Sequence, residues 1–469
     1  MDRTPTPDNF NTIAEVDAAV EDVLQRGITV DIVSDLTSFE QPFLNRSDEF
    51  CRLLAMKYVS RQNSDVTRAK KEQYERNRAR LHMEDSSALH FEGFRRAFGE
   101  INTGSDNAFG EDRVQSFLDL GCAPGGSSTW ILQNNRNARG IGITLSPDAG
   151  GLRLQLDSPF LEQLQVRYED LCKIASGGEA IEDTPATGFD LVVAHAAIMF
   201  RDDVRWTQSI ALTYAQLLIA FQHIAQDGSL VISLRSRPLN WVVDIVRALD
   251  EAFTSVHAVN TMYQGRRPFV NVVCRGFRAG TDERNEYIRR LRLCVRYFET
   301  TTGPVDAPNG GAANIPRLCG TRDEEIPEAT YQYVLNLFTG VWQSKYAAIR
   351  HNCQKVFVRR NADRGRHKRT RAMMQAADNS SHTVMSAGSD ENNGSYRTAG
   401  QQLGAARVFT PTAQPNGGGS FAWRSRPSVE SADSYIRRRD EKNAGYNALF
   451  KRVGGVGRAA DRPGSWRKY

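Results

Sequence analysis

Apolar positions follow two rhythms along this chain. From Ile13 the spacing is helical: IAEVDAAVEDVLQRG sets Val16, Val20, Val23 and Leu24 on one stripe and stops at Gly27, a residue suited to a helix C-cap. SDEFCRLLAMKYVSRQ predicts a second helix with Ser47 as its N-cap, and VTRAKKEQYERNRARLHMEDSS a third, highly charged one. At about residue 91 the rhythm changes. Short β-branched or apolar runs, VQSFLDL, ARGIGITL, FDLVVAH, GSLVISL and NVVCRGF, predict strands. STWILQN, WTQSIALTYAQLLIAFQHIA and WVVDIVRALDEAF predict helices between them. This alternation indicates an α/β domain, a parallel sheet covered by helices. Helical spacing returns after residue 280, with Val334, Leu337, Val341 and Ile349 near one face. Beyond Asn361, Ser, Gly, Asn, Gln and Arg dominate and large apolar residues are few, which predicts a disordered C-terminal tail. The expected organisation is a helical region over 1–90, an α/β domain over 91–280, a helical extension over 281–361 and a basic tail over 362–469.

Composition changes this picture little. At 469 residues the chain exceeds one ordinary domain, and its net charge of +5 matters less than where the charge sits. The longest apolar stretch, IALTYAQLLIAF, is well short of the roughly 20 residues a bilayer needs, so no membrane span is expected. MDRTPTPDNFNT lacks the basic and apolar regions of a secretory signal and carries early acids, so a cytoplasmic or nuclear place is expected. Seven scattered cysteines with no CxxC pair suit reduced thiols rather than a zinc site, and no metal is expected.

The candidate chemistry lies in FLDLGCAPGGSSTWIL, residues 117–132. Asp119 ends a predicted strand, Gly121 permits a tight turn, and Gly125 and Gly126 are read as letting a ligand approach the backbone. The helix that follows aims its N-terminus at that ligand. The turn has neither the GK[ST] of a phosphate loop nor the GxGxxG of a dinucleotide fold. A nucleoside without phosphates, such as S-adenosylmethionine, suits it better.

DLGCAPGG resembles the first motif of the FtsJ-like methyltransferases, which transfer a methyl group from S-adenosylmethionine to a ribose 2′-oxygen of RNA. GIGITLSPDAGG and the C-terminal helical block are similar to fungal members of that family. The resemblance spans roughly residues 90–350 and implies a seven-stranded, Rossmann-like methyltransferase sheet with flanking helices. It implies S-adenosylmethionine as cofactor, RNA as partner, and cofactor contacts at Asp119, Gly121, Ala123, Pro124, Gly125 and Gly126. Thr144 stands where an acid normally grips the ribose, with Asp148 nearby as a substitute. Asp170 matches the adenine-contacting aspartate, and equally reads as a helix N-cap.

The family's Lys–Asp–Lys–Glu tetrad is not retained. The aligned positions read Ala97 (beside Arg95 and Arg96), His195, Ser233 and, near the last, Phe269. Serine cannot stabilise an alkoxide as an ammonium does. That leaves His195 as a base near neutral pH and Arg235 as an electrostatic aid for the catalytic roles. Two readings follow: a methyltransferase with a rearranged catalytic set, or an inactive relative that binds RNA or a protein. A protein or small-molecule acceptor is a third. Arg235, Arg237, Arg266 and Arg267 are candidates for a phosphate-binding rim. The run from Arg359 to Arg371 suits RNA affinity, nuclear import or solubility. Tyr263 and Trp241 suit base stacking or packing.

Overall fold

The computed structural model describes residues 10–34, 36–81, 86–178, 181–198, 206–301, 314–320 and 326–384. Five helices come first: α1 (Ile13–Arg26), α2 (Gln41–Leu44), α3 (Asp48–Gln62), α4 (Ser64–Leu81) and α5 (Ser86–Gly104). Thr12 and Ser47 cap α1 and α3 by accepting from the amides of Glu15 and Phe50. The boundary expected at residue 91 cuts through α5, whose face of Phe98 and Ile101 belongs to the sheet domain.

The sheet then forms with its helices: β1 (Ser116–Leu120), α6 (Gly126–Asn134), β2 (Arg139–Thr144), α7 (Ser158–Leu161), β3 (Leu164–Tyr168), α8 (Leu171–Gly177), β4 (Phe189–Ala194) and α9 (Trp206–His223). It continues through β5 (Ile224–Arg235), α10 (Asn240–Ala252), β6 (Phe253–Val259) and β7 (Phe269–Phe277). Two helices close the described chain, α11 (Thr281–Thr300) and α12 (Glu328–Val384). The seven strands lie in the order β3-β2-β1-β4-β5-β7-β6, all parallel except β7. This doubly wound order with one reversed strand is the Rossmann-like methyltransferase sheet. Five strands are legible in the sequence; β3 and β6 are the two additions. Both are edge strands, and past the first residue of each no position is fully buried.

Each face of the sheet has its own core. Leu118, Leu120, Val192, Ala194, Ile232 and Leu234 pack under α8–α11, while Phe117, Leu191, Val193 and Val231 pack under α5 and α6. The reversal of strand order falls between β1 and β4, so the crevice at their carboxyl ends is where a doubly wound sheet binds its ligand.

The flanking helices are not separate units. Helices α1 and α3 pack on α12, which meets the carboxyl edge of β5 and β6 and the start of β7. Trp342 Nε1 of α12 donates to Ser236 O just past β5 (2.7 Å), and Asn260 Nδ2 just past β6 donates to Ser344 Oγ (2.9 Å). Lys345 Nζ donates to Arg267 O and Phe269 O, both at 2.7 Å. Glu40, fully buried, accepts from Arg237 Nε and, at 2.7 Å, from Arg237 Nη2. Helices α1, α3 and α12, far apart in the chain, therefore form one roof, while α11 packs on α8 and α9. Nor does α12 end at Asn361: it runs on as helix to Val384. The rest of the expected tail lies outside the described residues.

Candidate functional site

The turn after β1 does what its glycines require, though not in the way expected. Gly121 has φ +87°, and a Cβ there would stand 2.4 Å from Ala196 Cα. Gly125 has φ +106° and caps α6 without a side chain, which leaves the first amides of that helix without a side-chain cap. The space beside Gly125 holds Leu156 Cγ, at 3.1 Å from such a Cβ, with Leu154 next to it. The space beside Gly126 holds the backbone of α5, with Phe91 O at 2.2 Å. These two glycines thus admit neighbouring chain rather than ligand. The stretch carrying Leu154 and Leu156 is fastened by Gln155 N donating to Pro124 O (2.9 Å), and Ala123–Pro124 is a cis peptide.

Asp119 points inward. Its carboxylate is 1 % exposed and accepts from Ser128 Oγ at 2.6 Å, which ties β1 to the first turn of α6. Burial pushes its pKa up to about 6, partly offset by that hydrogen bond. A carboxylate enclosed this way positions the turn and faces Ser128, whereas a cofactor contact would need it open to the crevice. Thr144 closes β2, buried, and its carbonyl accepts from Glu169 N (2.9 Å). Asp148 lies exposed on the short turn beyond. Asp170 is the N-cap of α8 and accepts from Cys172 N through Oδ1 (2.9 Å).

The strand register settles which residues face one another. Asp119, Val193 and Val231 lie on the α5 face, and His195, Ser233 and Asn271 follow two positions further toward the carboxyl ends. The ladder continues past β4, since His195 N donates to Leu120 O (3.1 Å). His195 therefore stands one step past the Ala194–Ile232 pair, level with Ser233. Ser233 pairs with Asn271, and its Oγ donates to Asn271 Oδ1 (3.2 Å). Phe269, the expected occupant of the fourth position, pairs instead with Arg235 at the rim. Asn271 is the residue that sequence reading missed. Only the antiparallel register of β7 identifies it.

This row is polar and uncharged. His195 is buried, and among the described residues neither ring nitrogen has a hydrogen-bond partner. Burial pushes its pKa down to about 4, so the ring is neutral at pH 7 and too weak a base for the role expected of it. Ala97 is buried on α5, while Arg95 and Arg96 both bind Glu92. The Arg235 guanidinium rests 5.8 Å from the centroid of the Phe269 ring.

The expected basic rim is largely absorbed by the roof. Arg237 is held by Glu40, and Arg266 Nη1 donates to Asn352 Oδ1. Arg267 lies over the Tyr263 ring at 4.7 Å. Tyr263 packs against Gly93 and shares a 2.5 Å hydrogen bond with His90 Nδ1, and Trp241 is core. Neither ring is a free stacking platform. Among the described residues no group of three His, Cys, Asp or Glu side chains could hold a metal, and no helix is long and apolar enough to cross a membrane.

Residues 103–309 match the model of the FtsJ-like methyltransferase family. No curated protein matched the chain. Among solved structures, a putative ribosomal RNA methyltransferase from Plasmodium falciparum is similar at 17% identity and a TM-score of 0.30. It covers 40% of this chain and 98% of its own. An O-methyltransferase family protein from Burkholderia thailandensis is 12% identical over 52% of this chain and 77% of its own (TM-score 0.27). Human methyltransferase-like protein 13, solved in complex with SAH, is 13% identical over 46% and 96% (TM-score 0.28).

Proposed function

We propose that this protein is an S-adenosylmethionine-dependent methyltransferase of the FtsJ-like type that acts on RNA in the cytoplasm or nucleus. The observation that carries the reading is at the carboxyl ends of β1 and β4: a glycine-capped helix follows the first, and the second ends in a buried histidine whose ring nitrogens have no hydrogen-bond partner among the described residues. The family match over residues 103–309 supports it. An enclosed polar atom without a partner is costly and suits a site completed by a ligand. S-adenosylmethionine fits this donor set. The first amides of α6 would receive its carboxylate, Thr144 or Asp148 its ribose, and Asp170 its adenine through the oxygen that the α8 cap does not use. The cofactor would supply an electrophilic methyl group on a sulfonium. The chain's own part is to hold that group at the strand ends and to present an acceptor behind it.

The ribose 2′-oxygen is the family's acceptor. Its proton must leave, and His195, Ser233 and Asn271 offer no charge to help. That row favours a second reading, a methyltransferase fold that binds RNA or a protein partner with little or no turnover.

Calorimetric titration of the full chain with S-adenosylmethionine and its demethylated product tests the first step. Micromolar binding, lost in Gly125→Asp and retained in the exposed-site control Arg153→Ala, is expected. Absence of binding by folded protein would remove the cofactor site and leave the second reading.

A further inference from the structure

Two charged helices leave the same corner of the molecule, and they manage their charge differently. Arg360 of α12 meets Asp65 of α4 there, and its Nη2 donates to Asn11 Oδ1 (2.7 Å). Helix α4 carries its own counter-charge: Arg68 pairs with Asp65 (2.6 Å) and approaches Glu72 (3.9 Å), and Arg76 approaches Glu72 from the other side (3.8 Å). Past Phe357, α12 does not. Between residues 359 and 371 it holds seven Arg and Lys residues and one acid, Asp363, which takes Arg366 (2.8 Å). From Asn361 to Gln375 every residue is exposed. A helix without a buried face gains nothing from packing, and like charges one turn apart oppose it.

We infer that the exposed arm of α12, from Arg364 to Arg371, binds the phosphate backbone of RNA and holds it at a fixed distance from the methyltransferase crevice. This rests on the RNA reading above and adds the place where the strand is gripped. A polyanion supplies the counter-charge that the arm lacks, and arginine forks suit phosphate oxygens. The same helix anchors the arm. Its earlier part is packed through Trp342, Ile349, Cys353 and Phe357, and at Lys345 it touches the carboxyl edge of the sheet. At a rise of about 1.5 Å per residue, Arg364 to Arg371 lie roughly 29–39 Å along the helix from Lys345. RNA on the arm would thus be held well away from the residues at the strand ends.

The arm contacts no core, so neutralising it leaves the fold intact. The full chain and a variant carrying Arg364→Gln, Arg366→Gln, Lys368→Gln and Arg369→Gln would be titrated with a fluorescein-labelled 40-nucleotide RNA of random sequence, from 50 to 300 mM salt. The variant is expected to bind at least tenfold more weakly at 100 mM salt and to show a shallower salt dependence. Loss of four phosphate contacts lowers the log–log slope by about 3 for a single strand. Equal affinity of the two proteins would overturn the proposal. So would tighter arm-dependent binding of polyglutamate than of RNA, which would make the arm a site for acidic protein. S-adenosylmethionine titrated into both proteins reads the crevice separately: its failure to bind would sink the cofactor reading while leaving the RNA result to judge the arm.

Discussion

The two halves of the sheet's carboxyl edge differ in what they keep. At β1 and β2 the requirements are for backbone: a left-handed glycine, a helix end without a side-chain cap, and a carboxylate tying one to the other. All are present. At β4, β5 and β7 the requirements would be for charged side chains, and His195, Ser233 and Asn271 supply none. The first half has room for little variation, because a Cβ at Gly121 would strike the backbone of Ala196. The second half can exchange one polar residue for another without disturbing the strands. Over the second half lies the roof: α12, with α1 and α3 packed on it, meets the strand ends.

The roof is the sharpest place to break this contrast. Glu40→Ala removes one partner of a buried ion pair and deprives Arg237 of that carboxylate. A loss of about 3–5 kcal/mol is expected in denaturant unfolding, with the whole domain affected rather than the first helices alone. An unchanged midpoint would mean that the roof is not part of the folding unit.

The next effect belongs to the first half. Folding raises the Asp119 pKa from 3.8 to about 6, so the folded state favours the protonated acid. That preference contributes stability fully below pH 3.8 and is lost as pH rises through 6. At pH 7 the ionised carboxylate is a cost. Asp119→Asn keeps an acceptor for Ser128 and should stabilise the protein by on the order of 2 kcal/mol at pH 7, with the gain vanishing toward pH 4. Melting curves at several pH values would show it. A difference independent of pH would mean that the carboxylate is not enclosed as described.

Activity separates the halves next. Ser233→Lys combined with Asn271→Glu restores opposite charges at facing positions of β5 and β7. Any ribose methylation of RNA by the protein should rise about tenfold, equivalent to about 1.4 kcal/mol of barrier. No gain from a folded, cofactor-binding variant would show that the acceptor is not a ribose or that His195 also blocks it. The smallest change is Trp342→Phe, which deletes the donor to Ser236 O and leaves a buried carbonyl short of a partner. It should cost about 1 kcal/mol and leave cofactor affinity unaltered, which a melt and one titration would check.

Some of this was written along the chain. The alternation of strand and helix, the five buried strands, the caps at Ser47 and Gly27 and the turn after β1 follow from local rules: periodicity, capping chemistry and the φ that glycine permits. So does the absence of a lysine from β5, because Ser233 is read directly. Other features depend on residues far apart meeting. Asn271 faces Ser233 only because β7 runs antiparallel with one particular register, which no spacing specifies. Arg237 looks like a rim cation until Glu40, nearly two hundred positions earlier, encloses it. His195 looks like a neutral-pH base until the packing around it removes water and lowers its pKa. Sequence determined the elements and the glycine turn, since those rest on each residue's own backbone preferences. Tertiary structure alone decided which polar groups are paired and which are buried, because desolvation and pairing are properties of neighbours in space.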